Sequence, residues 1–169
     1  MTQWHLIETA LEQVFSDAVG IPFTWDESIK RMPRAPVGIL SLGSSMTVGR
    51  DGHRYRFRDS DISLDIYGYR ELSINVQIRA RLAKSAPSSR ILAEKARLVL
   101  ANPVYRERLK KAGLVFVETH PLVNIDFSRS VRKELRSTFD VVFRLVVHEQ
   151  LTNRTMDYFE SAVVSENFR

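Results

Sequence analysis

Hydrophobic side chains near the start of the chain recur at steps of three and four residues, with polar side chains between them. This spacing puts the apolar residues on one face and predicts an amphipathic helix from Trp4 to Val19. Gly20 stands where a left-handed helix cap is expected, and Pro22 prevents continuation of the helix. The stretch from Phe23 to Pro36 has neither a helical nor a strand period, and we predict an ordered surface loop there.

The pattern then changes to alternating apolar and polar positions, which is typical of strands. From Val37 to Val48 we expect β structure broken by a turn or bulge at Gly43 and Gly49. The residues Arg50 to His53 contain an Asp-Gly pair, which supplies the positive φ of a tight reversal. We therefore predict a turn at these residues and a hairpin around it.

Five more strands are predicted along the chain. The segment from Leu72 to Leu82 alternates longest, which indicates one dry face and one wet or interface-facing face. The segment from Glu134 to Gln150 also has Val142 and Val146 on its second face, so we expect burial on both sides for part of its length or a central place in a sheet. The remaining candidate strands are Ile62 to Ile66, a short buried one at Leu114 to Val117, and Tyr158 to Val164.

A helix pair is predicted between the strands. Ser88 or Ser89 can cap a helix that begins at Arg90, and Asn102-Pro103 is a restart signal for a second helix from Val104 to Ala112. Gly113 ends it. The order of elements favours an α+β fold, a mostly antiparallel β-sheet with the N-terminal helix and the central helix pair packed on it. At 169 residues we expect one domain, 1–169.

Composition excludes several kinds of chemistry. The chain has no cysteine, so disulfides, thiolate metal sites and a cysteine nucleophile are excluded. The 25 Lys and Arg residues against 20 Asp and Glu residues give a mild net charge of +5. No basic patch with a following apolar run marks an export signal, and no apolar stretch is long enough to span a bilayer. We expect no contact with a membrane.

Candidate catalytic and metal-binding residues are few. The four histidines lie far apart in sequence, and we find neither a phosphate-binding glycine loop nor a serine-hydrolase elbow. Asp59 and Asp61 are spaced to share one strand face and could bind a metal, but a polar turn rich in Asp and Ser is the favoured interpretation. We predict no enzyme activity, no catalytic or cofactor-binding residue, no cofactor and no metal.

Arginines and aromatic side chains mark the candidate interaction residues. They interleave in the hairpin after Gly49, and forked guanidinium donors are favoured where carboxylates of another protein chain are met. A solvated surface and a platform for single-stranded nucleic acid, dependent on Tyr55 or Phe57, are the alternatives. The predicted subunit or partner interface comprises Arg50, Arg54, Tyr55, Arg56, Phe57, Arg58, Arg79, Arg81, Tyr158, Phe159 and Phe168.

Taken together, these elements have the order found in one family of virion proteins. The segments that carry the likeness are Leu6–Ala18, Met32–Val37, Leu72–Ala80, Arg106–Leu114, Arg136–Val141 and Phe159–Val164. With these segments the chain resembles the neck or tail terminator proteins of tailed bacteriophages over nearly its whole length.

The resemblance implies a structural role in the virion, with assembly in the host cytoplasm. Such a protein forms a ring, expected to be a hexamer, which caps the head-proximal end of the tail tube and joins the tail to the head connector. Its implied partners are the tail tube protein and a head-completion or connector protein, with the sheath protein a further candidate. DNA would pass through the ring without specific binding. A head-completion ring and a small nucleic-acid-binding module remain the alternative functions.

Overall fold

The computed structural model describes residues 3–31, 33–58, 61–81, 87–125 and 134–152, without the side chains at the ends of some of these segments. The described residues form three α-helices, a short 3-10 helix (Asp26–Ser28) and a six-stranded sheet. None of their helices is long and apolar enough to cross a bilayer. The helices are α1 (Gln3–Val19), α2 (Ser89–Val99) and α3 (Pro103–Lys111), and the strands are β1 (Phe23–Trp25), β2 (Val37–Arg58), β3 (Asp61–Arg81), β4 (Leu114–Thr119), β5 (Val123–Asn124) and β6 (Glu134–Thr152).

The chain divides into two compact units. Unit 1 comprises residues 1–46 and 71–145, and unit 2 comprises residues 47–70 and 146–169. Strands β2, β3 and β6 therefore each contribute residues to both units. The expectation of a single domain over 1–169 stays a prediction.

The predicted helices of unit 1 are confirmed, together with the signals that end and begin them. Gly20 adopts a left-handed backbone with φ of 82° after α1, and Gly113 does so with φ of 88° after α3. The Ser88 side chain accepts a hydrogen bond from the Ile91 backbone N–H at the start of α2. Asn102 caps α3 in the same manner through the Val104 N–H.

The loop predicted from Phe23 to Pro36 is wrong at its start, because Phe23 to Trp25 form β1. This strand pairs parallel with β2, so that Phe23 lies opposite Gly38. Phe23 stacks on Phe15 with ring centroids 5.3 Å apart, and the Trp25 indole N–H donates to the Glu8 carbonyl. Three residues are too few for a visible alternation, and the contacts that hold them come from α1 and β2.

The predicted interruptions of β2 are also wrong in part. The strand runs without a break from Val37 to Arg58, through Gly43 and through the predicted turn at Arg50 to His53. Gly49 does adopt a left-handed backbone, with φ of 79°, as a bulge requires. The Asp-Gly pair does not turn because Asp51 and Gly52 both contact the neighbouring strand, as described below.

The sheet has the order β1–β2–β3–β6–β4, with β5 also pairing with β6. Contacts between β2 and β3 and between β3 and β6 fall in reversed order along the chain, so these neighbours are antiparallel. The pairings of β4 and β5 with β6 are antiparallel too. The α+β prediction is confirmed, with the parallel β1 as the exception.

The core of unit 1 lies between the sheet and the helices. The predicted dry face of β3 is confirmed, since its apolar residues from Leu72 to Ala80 are at most 3% exposed. In β6 the face that includes Phe139 and Phe143 is buried, and Val142 is buried on the second face as expected. Val146, expected to be buried with it, is 49% exposed. The predicted strand at Tyr158 to Val164 lies outside the described residues.

Strand β4 differs from the buried strand predicted at Leu114 to Val117. Only Leu114 is fully buried, while Val115 and Val117 are 55% and 40% exposed. The reason is topological, because β4 stands at one end of the strand order and has a neighbour, β6, on one side. In the sequence, an apolar run at the edge of a sheet has the same pattern as a buried strand.

Candidate interaction surface

Unit 2 carries most of the arginine-rich segment that the sequence singles out. Among its described side chains none that is apolar is buried, and the buried residues are Asp65 and Gly68. A three-strand segment with so little apolar burial needs another source of order. Ion pairs and close contacts over glycines supply it.

A buried carboxylate connects the three strands of unit 2. Asp65 of β3 is 3% exposed. Its Oδ2 lies 2.6 Å from Arg56 Nε of β2, and its Oδ1 lies 3.5 Å from His148 Nε2 of β6. Neither carboxylate oxygen has an aligned hydrogen-bond donor, so the Arg56 contact acts through charge. Since an unpaired buried carboxylate is costly, Arg56 is needed where it stands.

A second ion pair joins β2 and β3 on the other face of the strands. Both oxygens of Asp51 accept hydrogen bonds from the Arg70 guanidinium, at 2.7 and 2.8 Å. These hydrogen bonds lower the pKa of Asp51 and raise the pKa of Arg70. Gly68 lies beneath this pair, and a Cβ at Gly68 would collide with Asp51 Oδ1. The glycine thus makes room for the fork-shaped contact.

A tyrosine lies against the backbone of the neighbouring strand. A Cβ built on Gly52 would lie 2.5 Å from Cε2 of Tyr67, so the Tyr67 ring covers the space that a side chain at Gly52 would fill. Tyr67 nevertheless stays 45% exposed, and Tyr69 on the same face of β3 is 55% exposed. Packing against a glycine holds an aromatic ring in place while its outer side faces solvent.

Strand alternation assigns the predicted residues to faces. Arg54 and Arg56 lie on the face of β2 that carries Gly52, and both are exposed. We call Arg54, Arg56, Tyr67 and Tyr69 the tyrosine–arginine face. Tyr55 is 52% exposed and belongs to the opposite face. Sequence reasoning missed Tyr67 and Tyr69, although the Tyr-Gly-Tyr string that holds them was a visible signal.

The other predicted interface residues lie in different surroundings. Arg50 and Arg81 are exposed, but Arg79 is 9% exposed, which corrects its assignment to a wet face. Tertiary packing covers this side chain, down to its buried Nη1 atom, and strand alternation in the sequence does not show such packing. Phe57 and Arg58 have side chains outside the described part, as do the residues Tyr158, Phe159 and Phe168.

The tyrosine–arginine face combines the side chains that most often anchor protein interfaces. Tyrosine supplies a large contact area with few rotamers to fix, and arginine supplies a forked set of hydrogen-bond donors. Within the described ranges, three or more histidine, aspartate or glutamate side chains do not come together as a metal site would require. The arrangement is suited to holding another chain.

Comparison with known proteins identifies the family of this chain. The profile of the phage neck terminator protein family matches residues 6–168, and the chain belongs to this family. No curated protein sequence matches the chain at a significant level. The protein is therefore a structural component of the phage neck, part of the virion, and it interacts with other tail or head proteins of the phage.

Proposed function

We propose that this neck protein is the tail terminator, forming a ring that caps the head-proximal end of the tail tube and joins the tail to the head connector. The ring is a homo-oligomer, expected to be a hexamer. Its partners are the tail tube protein, with the sheath protein as a further candidate, and a head-completion or connector protein. DNA passes through it without specific binding. It is assembled in the host cytoplasm and catalyses no reaction.

The observation that carries this proposal is the tyrosine–arginine face, on a chain whose family membership covers nearly its whole length. A closed ring needs two different patches that complement each other, one on each side of the subunit. An exposed face of two tyrosines and two arginines, held in place by Gly52 and Asp65, is suited to be one of them. Its arginines favour a partner surface that carries carboxylates.

The oligomeric state tests the proposal directly. We would measure the absolute mass of the purified protein by light scattering, alone and mixed with tail tubes, and image both samples by negative stain. A ring of about six subunits, or a monomer that becomes a ring only at tube ends, is expected, because a template can complete weak subunit contacts. A persistent monomer that ignores tube ends would contradict the proposal and favour the nucleic-acid-binding module. A ring that binds only the head connector would favour a head-completion protein.

A variant of the face tests its role within that assay. Arg54→Glu combined with Tyr67→Ser and Tyr69→Ser removes three anchors and keeps Arg56, which the buried Asp65 requires. We expect loss of ring formation or of tube capping, with the circular dichroism spectrum unchanged. Arg34→Glu, at an exposed position of unit 1, is the matched charge control and should assemble normally. Assembly of the triple variant at the level of the control would show that this face is solvated.

A further inference from the structure

A cleft of about 450 Å³ lies in unit 1, and the proposed ring function does not explain it. Its size is within the range of sites that hold small molecules or peptide side chains. Helix α2 forms one side of it, and the segment that includes β5 forms the other. The lining residues are Arg90, Glu94, Arg97, Thr119, Pro121, Leu122 and Asn124.

The chain builds this cleft from two rigid parts. Arg90, Glu94 and Arg97 follow each other at steps of four and three, so they lie along one side of α2. The opposite side of the helix is anchored in the core by residues that include Leu92 and Val99, both 5% exposed. The polar side of the helix is therefore held in a fixed orientation.

The opposite wall is fixed by buried hydrogen bonds. Asn124 Oδ1 accepts a hydrogen bond of 2.8 Å from the Ser137 hydroxyl, which lies 2.9 Å from the Ser89 hydroxyl of α2. Both serines are buried. The bond to the Asn124 oxygen leaves the amide N–H groups of this residue as donors that no described protein atom accepts. A small polar network thus joins the two walls of the cleft.

The cleft holds more hydrogen-bond donors than the protein itself uses. Arg97 Nη1 donates to Glu94 at 3.2 Å, but Arg97 Nε is buried and has no hydrogen-bond partner. Arg90 makes no hydrogen bond or ion pair with any other described residue. Two guanidinium groups and one carboxylate leave the cleft with one excess positive charge. Since Arg97 Nε is shielded from solvent, a ligand in the cleft would meet the exposed remainder of the Arg97 side chain and the exposed Arg90.

We propose that this cleft binds the side-chain carboxylate of an acidic peptide segment from another protein chain. Guanidinium groups match a carboxylate through two parallel hydrogen bonds, and Asn124 adds a neutral donor. Pro121 and Leu122 supply apolar surface for the methylene groups of the segment. The carboxylate of Glu94 would repel a nucleic acid backbone with its many charges, whereas a single carboxylate needs only the net charge that the cleft offers.

Nuclear magnetic resonance of the full chain tests the site with a defined probe. The probe is a blocked triglutamate peptide, with blocked triglutamine as the matched neutral peptide. Triglutamate should shift the Arg97 Nε–H resonance and the backbone amide resonances of Thr119 and Asn124. The shifts should fit a dissociation constant of ~1 mM. The shifts should shrink with added salt, and triglutamine should produce none. Equal shifts from both peptides, or none from triglutamate, would overturn the proposal.

Two substitutions in the cleft should act in opposite directions. Arg90→Gln should weaken triglutamate binding about tenfold, since one charge-assisted contact is lost. Glu94→Gln should strengthen it about threefold, because the competing carboxylate on Arg97 is removed. Arg34→Gln loses the same charge outside the cleft and should bind like the unmodified chain.

The opposite signs keep the test valid if one variant folds poorly, because misfolding cannot strengthen binding. A Glu94→Gln variant that binds no better, or an Arg34→Gln variant that weakens binding as much as Arg90→Gln, would contradict a site in the cleft. Single-stranded oligothymidylate is the competing probe. If it shifts the same resonances more than triglutamate does at equal charge concentration, the cleft binds nucleic acid and the peptide proposal is wrong. None of these outcomes depends on ring formation, which is tested independently by the mass measurement with light scattering.

Discussion

Unit 1 and unit 2 are each stabilised internally by a different kind of interaction. Unit 1 buries aromatic and aliphatic side chains from α1, α2, β3 and β6, and its helices begin and end at capping residues. Unit 2, where its side chains are described, buries a carboxylate and a glycine and no apolar side chain. Apolar burial supplies most of the free energy of folding, whereas we expect the ion pairs of unit 2 to set register and orientation.

This difference separates stability from recognition within one chain. Exposed tyrosines and arginines would weaken a core, but on a unit ordered by Asp65 and Gly52 they remain available to a partner. Strands that a buried ion pair aligns keep one register, and register decides which side chains share a face. The comparison predicts that substitutions in unit 1 change the free energy of unfolding most and that substitutions in unit 2 change assembly most.

The largest effect on stability is expected from Phe143→Ala. Phe143 is fully buried and meets Phe116 edge to face, with ring centroids 6.3 Å apart. Removing it should lower the free energy of unfolding by about 3–5 kcal/mol, through lost burial and a cavity. Tyr69→Ala, at a half-exposed ring of unit 2, should change it by about 0.5 kcal/mol or less. Urea unfolding followed by circular dichroism measures both, and equal losses would erase the contrast between the units.

A pair of glycine substitutions sharpens the same contrast. In both Gly38→Ala and Gly52→Ala the new methyl group collides with an aromatic ring, of Phe23 in unit 1 and of Tyr67 in unit 2. Phe23 is 6% exposed and cannot swing out, so Gly38→Ala should cost about 1–3 kcal/mol.

Tyr67 is free to turn toward solvent, so Gly52→Ala should leave the free energy of unfolding nearly unchanged. We expect it instead to disturb ring assembly, since the ring of Tyr67 loses its fixed position. Thermal unfolding and the mass measurement by light scattering separate the two effects. A large loss of stability in Gly52→Ala would show that unit 2 depends on the tyrosine contact more than on its ion pairs.

The buried carboxylate can be tested with a double-mutant cycle. Arg56→Met leaves Asp65 without its guanidinium and should cost about 1–2 kcal/mol, since Arg56 is half exposed and water replaces part of its effect. Adding Asp65→Leu removes the stranded charge and should restore most of the loss. Amide hydrogen exchange in the unit 2 parts of β2 and β3 reports the effect locally. Additive losses would mean that Arg56 does not act through Asp65.

The smallest expected effect is a change in pH dependence at Asp51. The Arg70 hydrogen bonds hold the folded-state pKa of Asp51 below its ordinary value of 3.8. The pair therefore stabilises the folded chain fully above that value, and this contribution is lost as the pH falls through the lowered pKa. Asp51→Asn should reduce stability near neutral pH and should differ less from the unmodified chain at pH values under 3.8. A difference that stays constant with pH would contradict this role for the ion pair.

The sequence alone predicts the elements that depend on neighbouring residues. The helices, their caps at Ser88 and Asn102, and the dry face of β3 were all readable, because helical period, strand alternation and capping are local. The wrong predictions share one cause, which is contact between segments that are distant in sequence. β1 is held by contacts with α1, and the Asp-Gly pair at Asp51 stays extended because Arg70 and Tyr67 of the next strand engage it.

The candidate surface was predictable only in part for the same reason. Arg54 and Arg56 drew attention to β2 in the sequence, but strand alternation does not show that Arg56 contacts a buried carboxylate and that Arg54 does not. Tyr67 and Tyr69 joined them on one face only after β2 and β3 were paired in register. The cleft near Arg90 was invisible in sequence, since Asn124 and Arg97 come from elements that are far apart along the chain.

The α+β class, the helices with their ends, and the likeness to phage neck proteins could all be inferred from the amino-acid sequence. The tertiary structure alone decided the strand order, the pairing of Asp65 with Arg56 and His148, the burial of Arg79 and the cleft beside α2. The two groups of features differ in the distance along the chain between the residues that determine them. Local periodicity is written in adjacent residues, whereas charge pairing and burial depend on which distant strands meet.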